Sequence, residues 1–233
     1  MPLRARIGIT TAHEQNRQTL SLAYVRAIEA AGGVPLIMPM PAALDGAGRL
    51  AALIDGLLIV GGPGITHRLT GPLPDELPPV SPLRDRADRW LYQMARRRGC
   101  PVLGICYGMQ FINAMCGGSI YGDVQREAGA GPHTPDRGRD RHMVEIAPGA
   151  RLRAILDVDA LEVNSYHLQA VAEPGVGLCV SARGEDGVIE AVESADGSLL
   201  GMQWHPELMP ATACARIFED FVRRCAGGHH EAR

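Results

Sequence analysis

The segment Gly104-Ile105-Cys106-Tyr107-Gly108 decides the fold of this chain. The short apolar run 101–103 precedes it, and the helix-like stretch 109–115 follows it. This order predicts a strand, a very tight turn and a helix with a cysteine at the corner, the cysteine counterpart of the G-x-S-x-G nucleophile elbow. The glycines fit because a side chain on either flank would collide with the neighbouring strand or helix. We therefore expect the sulfur of Cys106 to stand above a sheet edge, within reach of a substrate carbonyl.

The position of Cys106 also favours a reactive thiol. A helix N-terminus carries unpaired N–H groups and the positive end of the helix dipole, and both favour thiolate over thiol. No C-x-x-C pair occurs, so the cysteines suggest neither a zinc site nor a thioredoxin-like motif. The cysteines outside the elbow lack this context and are expected to be packing residues: Cys100, Cys116, Cys179, Cys214 and Cys225.

The first hundred residues alternate between strand and helix periodicities. Strand patterns occupy 6–10, 34–38 and 57–60, ahead of the elbow strand. Helical patterns stand between them: the face of Leu22, Val25 and Ile28, the stretch 49–54, and the face of Leu83, Ala87, Trp90, Leu91 and Met94. This alternation predicts a three-layer α/β/α fold with a mainly parallel central sheet. The proline-rich residues 65–82 are expected to form a surface loop, and the arginines between 84 and 98 the solvent-facing side of a helix.

The second half of the chain has a different pattern. Short strands separated by turns are predicted at 144–146, 161–163, 178–181, 188–192 and 199–204. A final helix carries Ile217, Phe218, Phe221 and Val222 on one face. The length of 233 residues suits one large domain, which we assign to 1–226, with 227–233 as a disordered tail.

Charge and hydropathy exclude several classes of partner. The net charge of −3 gives no reason to expect nucleic acid or an anionic membrane surface. No run is long and apolar enough to span a bilayer, and the N-terminus shows no signal-peptide pattern. A cytoplasmic protein with reduced thiols is therefore expected.

A nucleophilic cysteine needs a base, and the base needs an orienting group. The best candidates lie in Gln203-Trp204-His205-Pro206-Glu207, directly after the last predicted strand. His205 and Cys106 both follow strand ends, where the functional groups of open α/β sheets collect. Glu207 follows His205 by two residues, and Pro206 stiffens the link. After another strand, the backbone N–H groups of Gly61 and Gly62, with that of Tyr107, are suited to bind the oxyanion of a tetrahedral intermediate.

Residues 104–110 and 203–207 together resemble the class I glutamine amidotransferase-like family. Three further segments resemble its γ-glutamyl hydrolase branch, which includes γ-glutamyl-γ-aminobutyrate hydrolases: 24–35, 163–171 (Val-Asn-Ser-Tyr-His-Leu-Gln-Ala-Val) and 186–193 (Asp-Gly-Val-Ile-Glu-Ala-Val-Glu). The resemblance runs from about residue 6 to about residue 225. It implies a flavodoxin-like fold.

The resemblance also implies roles for individual residues. Cys106 is the nucleophile, His205 the base and later the acid, and Glu207 the group that orients His205. Gly62 and Tyr107 supply the oxyanion-hole amides. The remaining substrate-binding residues are expected near the γ-glutamyl group: Gly61, Gln110, Ser165, Tyr166 and His167. The implied reaction is hydrolysis of a γ-glutamyl amide through a γ-glutamyl thioester, with no metal or organic cofactor.

Two other functions stay open. The first is a glutaminase subunit that passes ammonia to a synthetase partner, which the stretch Gly61-Gly62-Pro63-Gly64 and Tyr107 resemble. The second is a non-enzymatic binding or regulatory protein on the same scaffold. Otherwise the expected partner is a small γ-glutamyl substrate, and a homodimer is left open. His13, His67, His133 and His142 show no metal-ligand spacing and are expected to be solvated or capping residues.

Overall fold

The computed structural model describes residues 4–227. Their strands are β1 Arg6–Ile9, β2 Ala12–Glu14, β3 Arg17–Thr19, β4 Val34–Ile37, β5 Gly56–Ile59, β6 Val102–Ile105, β7 Ser119–Tyr121, β8 Arg141–Ile146, β9 Ala160–Asn164, β10 Ala170–Glu173, β11 Leu178–Gly184, β12 Ile189–Ser194 and β13 Leu199–Met202. Their helices are α1 Leu22–Ala30, α2 Leu44–Ala51, α3 Pro82–Arg97, α4 Tyr107–Met115, α5 Val124–Ala128, α6 Arg151–Leu156 and α7 Ala215–Gly227. Short 3-10 turns lie at Pro135–Arg137 and Pro206–Leu208.

The chain divides into two compact units. Within the described residues, the first comprises 4–60, 81–103 and 207–227, and the second comprises Gly61–Val80 and Gly104–Pro206. The interpretation of 1–226 as one domain stays a prediction. The predicted tail 227–233 lies outside the described residues except for Gly227, the last residue of α7.

The first unit contains the parallel strands that the alternating pattern predicts. β1 pairs in parallel with β4 on one side and with β5 on the other. Ile7 and Ile9 of β1 and residues 57–59 of β5 are buried, as expected for a sheet that helices cover. α7 contacts β1 and β5, and a Cβ on Gly56 of β5 would collide with Cys225 and Phe221 of α7. This close approach explains the glycine in an otherwise apolar strand.

The second unit contains the short strands of the second half, which pair antiparallel. Their order is β13-β12-β11-β8-β9, and β10 pairs with both β12 and β7. The last two residues of β6, 104 and 105, belong to the second unit. α4 follows β6 directly and packs on β13.

Several details differ from the sequence-based expectations. The β2–β3 hairpin was not anticipated, because its turn uses Gln15 and Asn16 at φ of 47° and 59° with no glycine.

Leu22 is exposed, and Tyr24 and Ile28 form the buried face of α1. The expectation of solvent-facing arginines is wrong for Arg84, which is 0% exposed, pairs with Asp88 at 3.2 Å and donates to the Val60 carbonyl at 2.8 Å.

The expectation that the cysteines outside the elbow are packing residues holds for Cys100, Cys214 and Cys225, which are buried. Burial raises the pKa of the Cys100 and Cys225 thiols, which disfavours the reactive thiolate. The expectation is wrong for Cys179, which is exposed on β11. Within residues 4–227, every helix is too short or too polar to cross a bilayer.

Candidate functional site

The predicted elbow is present at the junction of β6 and α4. Cys106 stands between the last residue of β6 and the first of α4, with φ of 52° and ψ of −109°. A non-glycine residue in such a conformation costs about 1–3 kcal/mol and persists only where the surroundings impose it. A Cβ on Gly104 would come within 2.5 Å of the backbone of Gly108, so the tight corner requires this glycine. The steric reason inferred from the sequence is therefore the one that the structure has.

The Cys106 corner lies beside the end of β13. Its backbone N–H donates to the carbonyl of Met202, the last residue of β13, at 2.7 Å. β6 and β13 therefore end at the same level, and His205 follows Met202 by three residues. A Cβ on Gly201 would lie 2.9 Å from Met109, so α4 packs directly against β13. The two candidate catalytic residues thus follow neighbouring strands, as predicted for the carboxyl edge of a sheet.

His205 is held by Asn164, a residue to which the sequence analysis assigned no role. The His205 N–H donates to Oδ1 of Asn164 at 2.8 Å, and Nδ2 of Asn164 donates to the His205 carbonyl at 2.9 Å. The Tyr166 ring stands edge-on to the imidazole, with centroids 5.8 Å apart. Asn164 is buried at the end of β9. The signal for its role was its place in the segment 163–171.

Glu207 lies in the 3-10 turn Pro206–Leu208 and is buried. Glu207 follows His205 by two positions in the sequence, and the turn begins between them at Pro206. Its role as the orienting carboxylate stays a prediction.

The predicted oxyanion glycines begin the loop 61–80. Gly61 is half-buried and Gly62 is exposed. The loop closes on itself, since Gly64 N–H donates to the Pro78 carbonyl at 2.9 Å and Val80 N–H to the Gly64 carbonyl at 2.8 Å. The role of Gly62 and Tyr107 in binding an oxyanion stays a prediction.

The loop is also fastened by Gln169. The Gln169 amide accepts from Ile65 N–H at 2.8 Å and donates to the Ile65 carbonyl at 3.1 Å. Gln110, predicted to bind substrate, is buried, and its Nε2 donates to the Gln169 carbonyl at 3.0 Å and to Gln203 Oε1 at 3.1 Å. Its amide hydrogens therefore tie α4 to Gln169 and to Gln203, the residue after β13. Contact of Gln110 with substrate stays a prediction.

The other predicted substrate residues alternate in direction after β9. Tyr166 is 48% exposed and lies next to His205. Ser165 and His167 are buried on the other side: Ser165 Oγ donates to the His133 carbonyl at 2.9 Å, and His167 Nδ1 donates to the Gln169 carbonyl at 3.0 Å. Of these residues, Tyr166 has the surroundings that a substrate contact needs.

His133 and His142 are not the solvated or capping residues that the sequence suggested. Both are buried, and together with His167 they surround the fully buried carboxylate of Glu190. Burial alone would raise the pKa of Glu190, but the charges and hydrogen bonds of His167 and His142 outweigh it and lower that pKa to about 2. Sequence reasoning missed this group because its members are separated by up to 57 positions, from 133 to 190.

Comparisons with known proteins agree with this geometry. A family model described as Peptidase C26 matches residues 4–207. The protein named "Putative glutamine amidotransferase PB2B2.05" of Schizosaccharomyces pombe is 33% identical over 94% of this chain and 85% of its own length. The γ-glutamyl-γ-aminobutyrate hydrolase PuuD of Escherichia coli K12 is 32% identical over 92% of this chain and 89% of its own length.

Solved structures confirm the fold class. The glutaminase domain of Trypanosoma brucei CTPS, solved with bound acivicin, superposes with a TM-score of 0.65 at 16% identity, covering 96% of this chain and 94% of that one. The mainly parallel central sheet with flanking helices, predicted from the sequence, is therefore confirmed as the glutamine amidotransferase type of three-layer fold.

Proposed function

Because this chain belongs to the Peptidase C26 family of glutamine amidotransferase-like hydrolases, we propose that it hydrolyses γ-glutamyl amides with Cys106 as its nucleophile. The observation that carries the proposal is the elbow: Cys106 is held at φ 52° at the start of α4, beside the strand end that leads to His205. Strained conformations of this kind concentrate at functional sites, where surrounding structure imposes them.

The first half of the reaction forms a γ-glutamyl thioester. The Cys106 thiolate attacks the γ-carbonyl carbon, a C–S bond forms, and the carbonyl electron pair moves to oxygen. The N–H groups of Gly62 and Tyr107 donate to this oxyanion, where such donors are worth about 3–4 kcal/mol each in related sites. The C–N bond then breaks, and His205 gives its proton to the departing amine.

The second half regenerates the Cys106 thiolate. His205, now neutral, takes a proton from water as the water attacks the thioester carbon. The C–S bond breaks, glutamate leaves, and the thiolate returns with His205 protonated. In this proposal Glu207 keeps the imidazole in the tautomer and orientation that both transfers need.

We propose γ-glutamyl amines as the substrate class, with at least one preferred to glutamine. Support comes from the relatives named γ-glutamyl-γ-aminobutyrate hydrolases, which match over 92% of this chain. The loop 61–80 adds support because Gln169 and the Glu76–Arg137 ion pair fasten it within its unit. A fixed loop can bind the leaving amine, and that binding energy would appear in kcat/KM.

A glutaminase subunit is the second candidate. The stretch 61–64 and Tyr107 favour it, as does the amidotransferase name of the fission yeast relative. Such a subunit is expected to be weakly active without its synthetase.

One assay separates the two. Glutamate release is measured with purified protein for glutamine, γ-glutamyl-γ-aminobutyrate, γ-glutamyl polyamines and γ-glutamyl anilides, with Cys106→Ala as the blank and Cys179→Ala as the matched control. The hydrolase proposal expects a γ-glutamyl amine to have the highest kcat/KM without any partner. If glutamine has the highest kcat/KM and a co-purifying synthetase raises its turnover, the glutaminase-subunit hypothesis replaces the hydrolase proposal.

A further inference from the structure

Three buried glutamine side chains lie in the second unit and are linked through hydrogen bonds. Gln110 lies on α4, one turn after Cys106. Gln203 lies two residues before His205, and Gln169 directly precedes β10. Gln110, Gln169 and Gln203 are 3%, 1% and 0% exposed. A buried amide is costly unless hydrogen bonds satisfy it, so the bonds that these amides make are a strong constraint on the segments that carry them.

Backbone partners fix the orientation of each amide. A backbone carbonyl can only accept, so the Gln110 atom that lies 3.0 Å from the Gln169 carbonyl is Nε2. The same nitrogen donates to Gln203 at 3.1 Å, and Gln203 therefore presents its Oε1. The Ile65 N–H can only donate and the Ile65 carbonyl can only accept, which orients the Gln169 amide in the same way. Each of these contacts thus has one consistent donor and one consistent acceptor.

Gln169 binds the loop 61–80 as a neighbouring strand would. Its Oε1 accepts from the Ile65 N–H at 2.8 Å and its Nε2 donates to the Ile65 carbonyl at 3.1 Å, although the two residues are 104 positions apart. Ile65 is 0% exposed, so bulk water cannot replace these bonds. One side chain therefore holds both backbone groups of a residue that follows Gly62 by three positions.

The backbone between this residue and Gly62 has little freedom. The Gly64 N–H donates to the Pro78 carbonyl at 2.9 Å, and the Gly64 carbonyl accepts from the Val80 N–H at 2.8 Å. The ring of Pro63 restricts its own φ to about −65°. Residues 63–65 are thus restrained one after another, and the constraint at residue 65 reaches the Gly62 peptide.

The backbone of Gln169 is bound to the start of α4. Its carbonyl accepts from Gln110 Nε2, and the Gln110 N–H donates to the Cys106 carbonyl at 3.2 Å. The Gln169 carbonyl also accepts from Nδ1 of His167 at 3.0 Å, so both of its lone pairs are used. Gln169 therefore links the loop that contains Gly62 to the helix that begins after Cys106.

We propose that Gln169 is a positioning residue for the oxyanion hole, an inference that rests on the proposed hydrolysis at Cys106. Its side chain fixes the loop that carries the Gly62 N–H, and its carbonyl fixes the turn of α4 next to the nucleophile. Gln169 itself touches no reacting atom. A displacement of about 1 Å at a reacting centre costs about 10²-fold in rate, so loss of the Gln169 amide should slow the chemical step more than it weakens substrate binding.

Kinetics of Gln169 variants test the proposal. Gln169→Met keeps the length of the side chain, removes both hydrogen bonds to Ile65, and should lower kcat by about 10- to 100-fold with a smaller change in KM. Gln169→Asn, whose amide is one methylene shorter, should behave in the same way and serves if Gln169→Met does not fold. Gln169→Glu should recover part of the loss, because a neutral carboxyl offers one donor and one acceptor. Gln93→Met, on the exposed face of α3, is the matched control and should match wild type.

An aldehyde separates positioning from a purely structural role. The γ-aldehyde analogue of glutamate adds to the Cys106 thiol: a C–S bond forms, the thiol proton is transferred, and the aldehyde oxygen becomes the tetrahedral oxygen that the oxyanion hole binds. In Gln169→Met its Kd should rise by about the factor by which kcat/KM falls, whereas the Kd of glutamate should stay near the wild-type value. Loss of stability alone would lower Tm and leave kcat and both Kd values per folded molecule unchanged.

Wild type and Cys106→Ala, assayed in parallel, distinguish failure of this inference from failure of the proposed function. Glutamate release by wild type that Cys106→Ala lacks, together with the expected losses in Gln169→Met, supports both. The same release with wild-type kcat per folded molecule or wild-type aldehyde Kd in the Gln169→Met and Gln169→Asn variants overturns the positioning role alone. Glutamate release that survives Cys106→Ala, or none by wild type from any γ-glutamyl amide, overturns the proposed function and the positioning role with it.

Discussion

Asn164 binds both backbone groups of His205, accepting from its N–H at 2.8 Å and donating to its carbonyl at 2.9 Å. The residue that carries the proposed base is thus fixed by a side chain 41 positions earlier in the chain. Placement of a catalytic group within a fraction of an ångström governs much of the rate, because a misplacement of about 1 Å costs about 10²-fold.

We expect Asn164→Ala to lower kcat by about 10- to 100-fold with a smaller change in KM. The change removes both hydrogen bonds to His205 and leaves its imidazole chemistry intact. Asn164→Asp keeps the acceptor for the His205 N–H and should recover part of the loss. Steady-state kinetics on the best γ-glutamyl amine measure this, and a purely structural role would instead lower Tm while kcat per folded molecule stayed unchanged.

The backbone conformation of Cys106 makes a second prediction. Glycine adopts positive φ without a steric penalty, whereas alanine at this position keeps the strain. The free energy of unfolding should therefore be higher for Cys106→Gly than for Cys106→Ala by about 1 kcal/mol. Both lack the thiol and should lose about 10³-fold or more in kcat. Urea unfolding of the two variants gives the comparison. Equal stabilities would mean that the corner is not strained.

The glycine ahead of the corner makes a third prediction. Gly104→Ala sets a Cβ within 2.5 Å of the Gly108 backbone and should destabilise the fold by about 3 kcal/mol. The matched control is Gly46→Ala in α2, where the new Cβ meets Pro41 at an ordinary 3.4 Å and should gain up to about 1 kcal/mol of helix propensity. Thermal unfolding decides: a Gly104 variant as stable as the Gly46 variant would show that the corner tolerates a side chain.

The stability contributed by the ion pair between Asp123 and Arg137 should depend on pH. Hydrogen bonds from Arg137 lower the pKa of Asp123 in the folded state below its unfolded value of about 3.9. The ionised carboxylate therefore stabilises the fold above that unfolded pKa, and this contribution is lost as the pH falls through the folded pKa.

Asp123→Asn retains an oxygen to accept from Arg126 N–H at the start of α5 but removes the charge that pairs with Arg137. At pH 7 we expect a loss of about 1–2 kcal/mol relative to wild type. The difference should shrink as the pH falls through the folded pKa of Asp123. Urea denaturation over a descending pH series tests it, and a difference that stays constant down to the lowest pH at which wild type remains folded would rule out the charge as its cause.

The sequence predicted the features that depend on neighbouring residues. The elbow was recognised because two glycines around one cysteine have a local steric cause, and the parallel strands because their apolar runs are short and well separated. It missed features that depend on distant partners. Arg84 is buried because its guanidinium donates a hydrogen bond to the Val60 carbonyl. No local sequence pattern reveals that contact.

The buried group of His133, His142, His167 and Glu190 shows the same limit. Its members come from four separate segments, so no spacing in the sequence brings them together. Asn164 and Gln169 lie in a segment whose resemblance was recognised, yet their partners, His205 and Ile65, are 41 and 104 positions away. Only the fold brings those pairs together.

The central claim is that Cys106 carries a γ-glutamyl group during turnover, and intact-mass analysis of acid-quenched protein tests it most directly. Wild-type protein mixed with its best γ-glutamyl amide should gain the mass of one glutamyl group, and peptide mapping should place it on Cys106. Hydroxylamine should remove it as expected for a thioester, and Cys179→Ala should behave like wild type. Turnover by Cys106→Ala, or a glutamyl group mapped to another residue, would contradict the account.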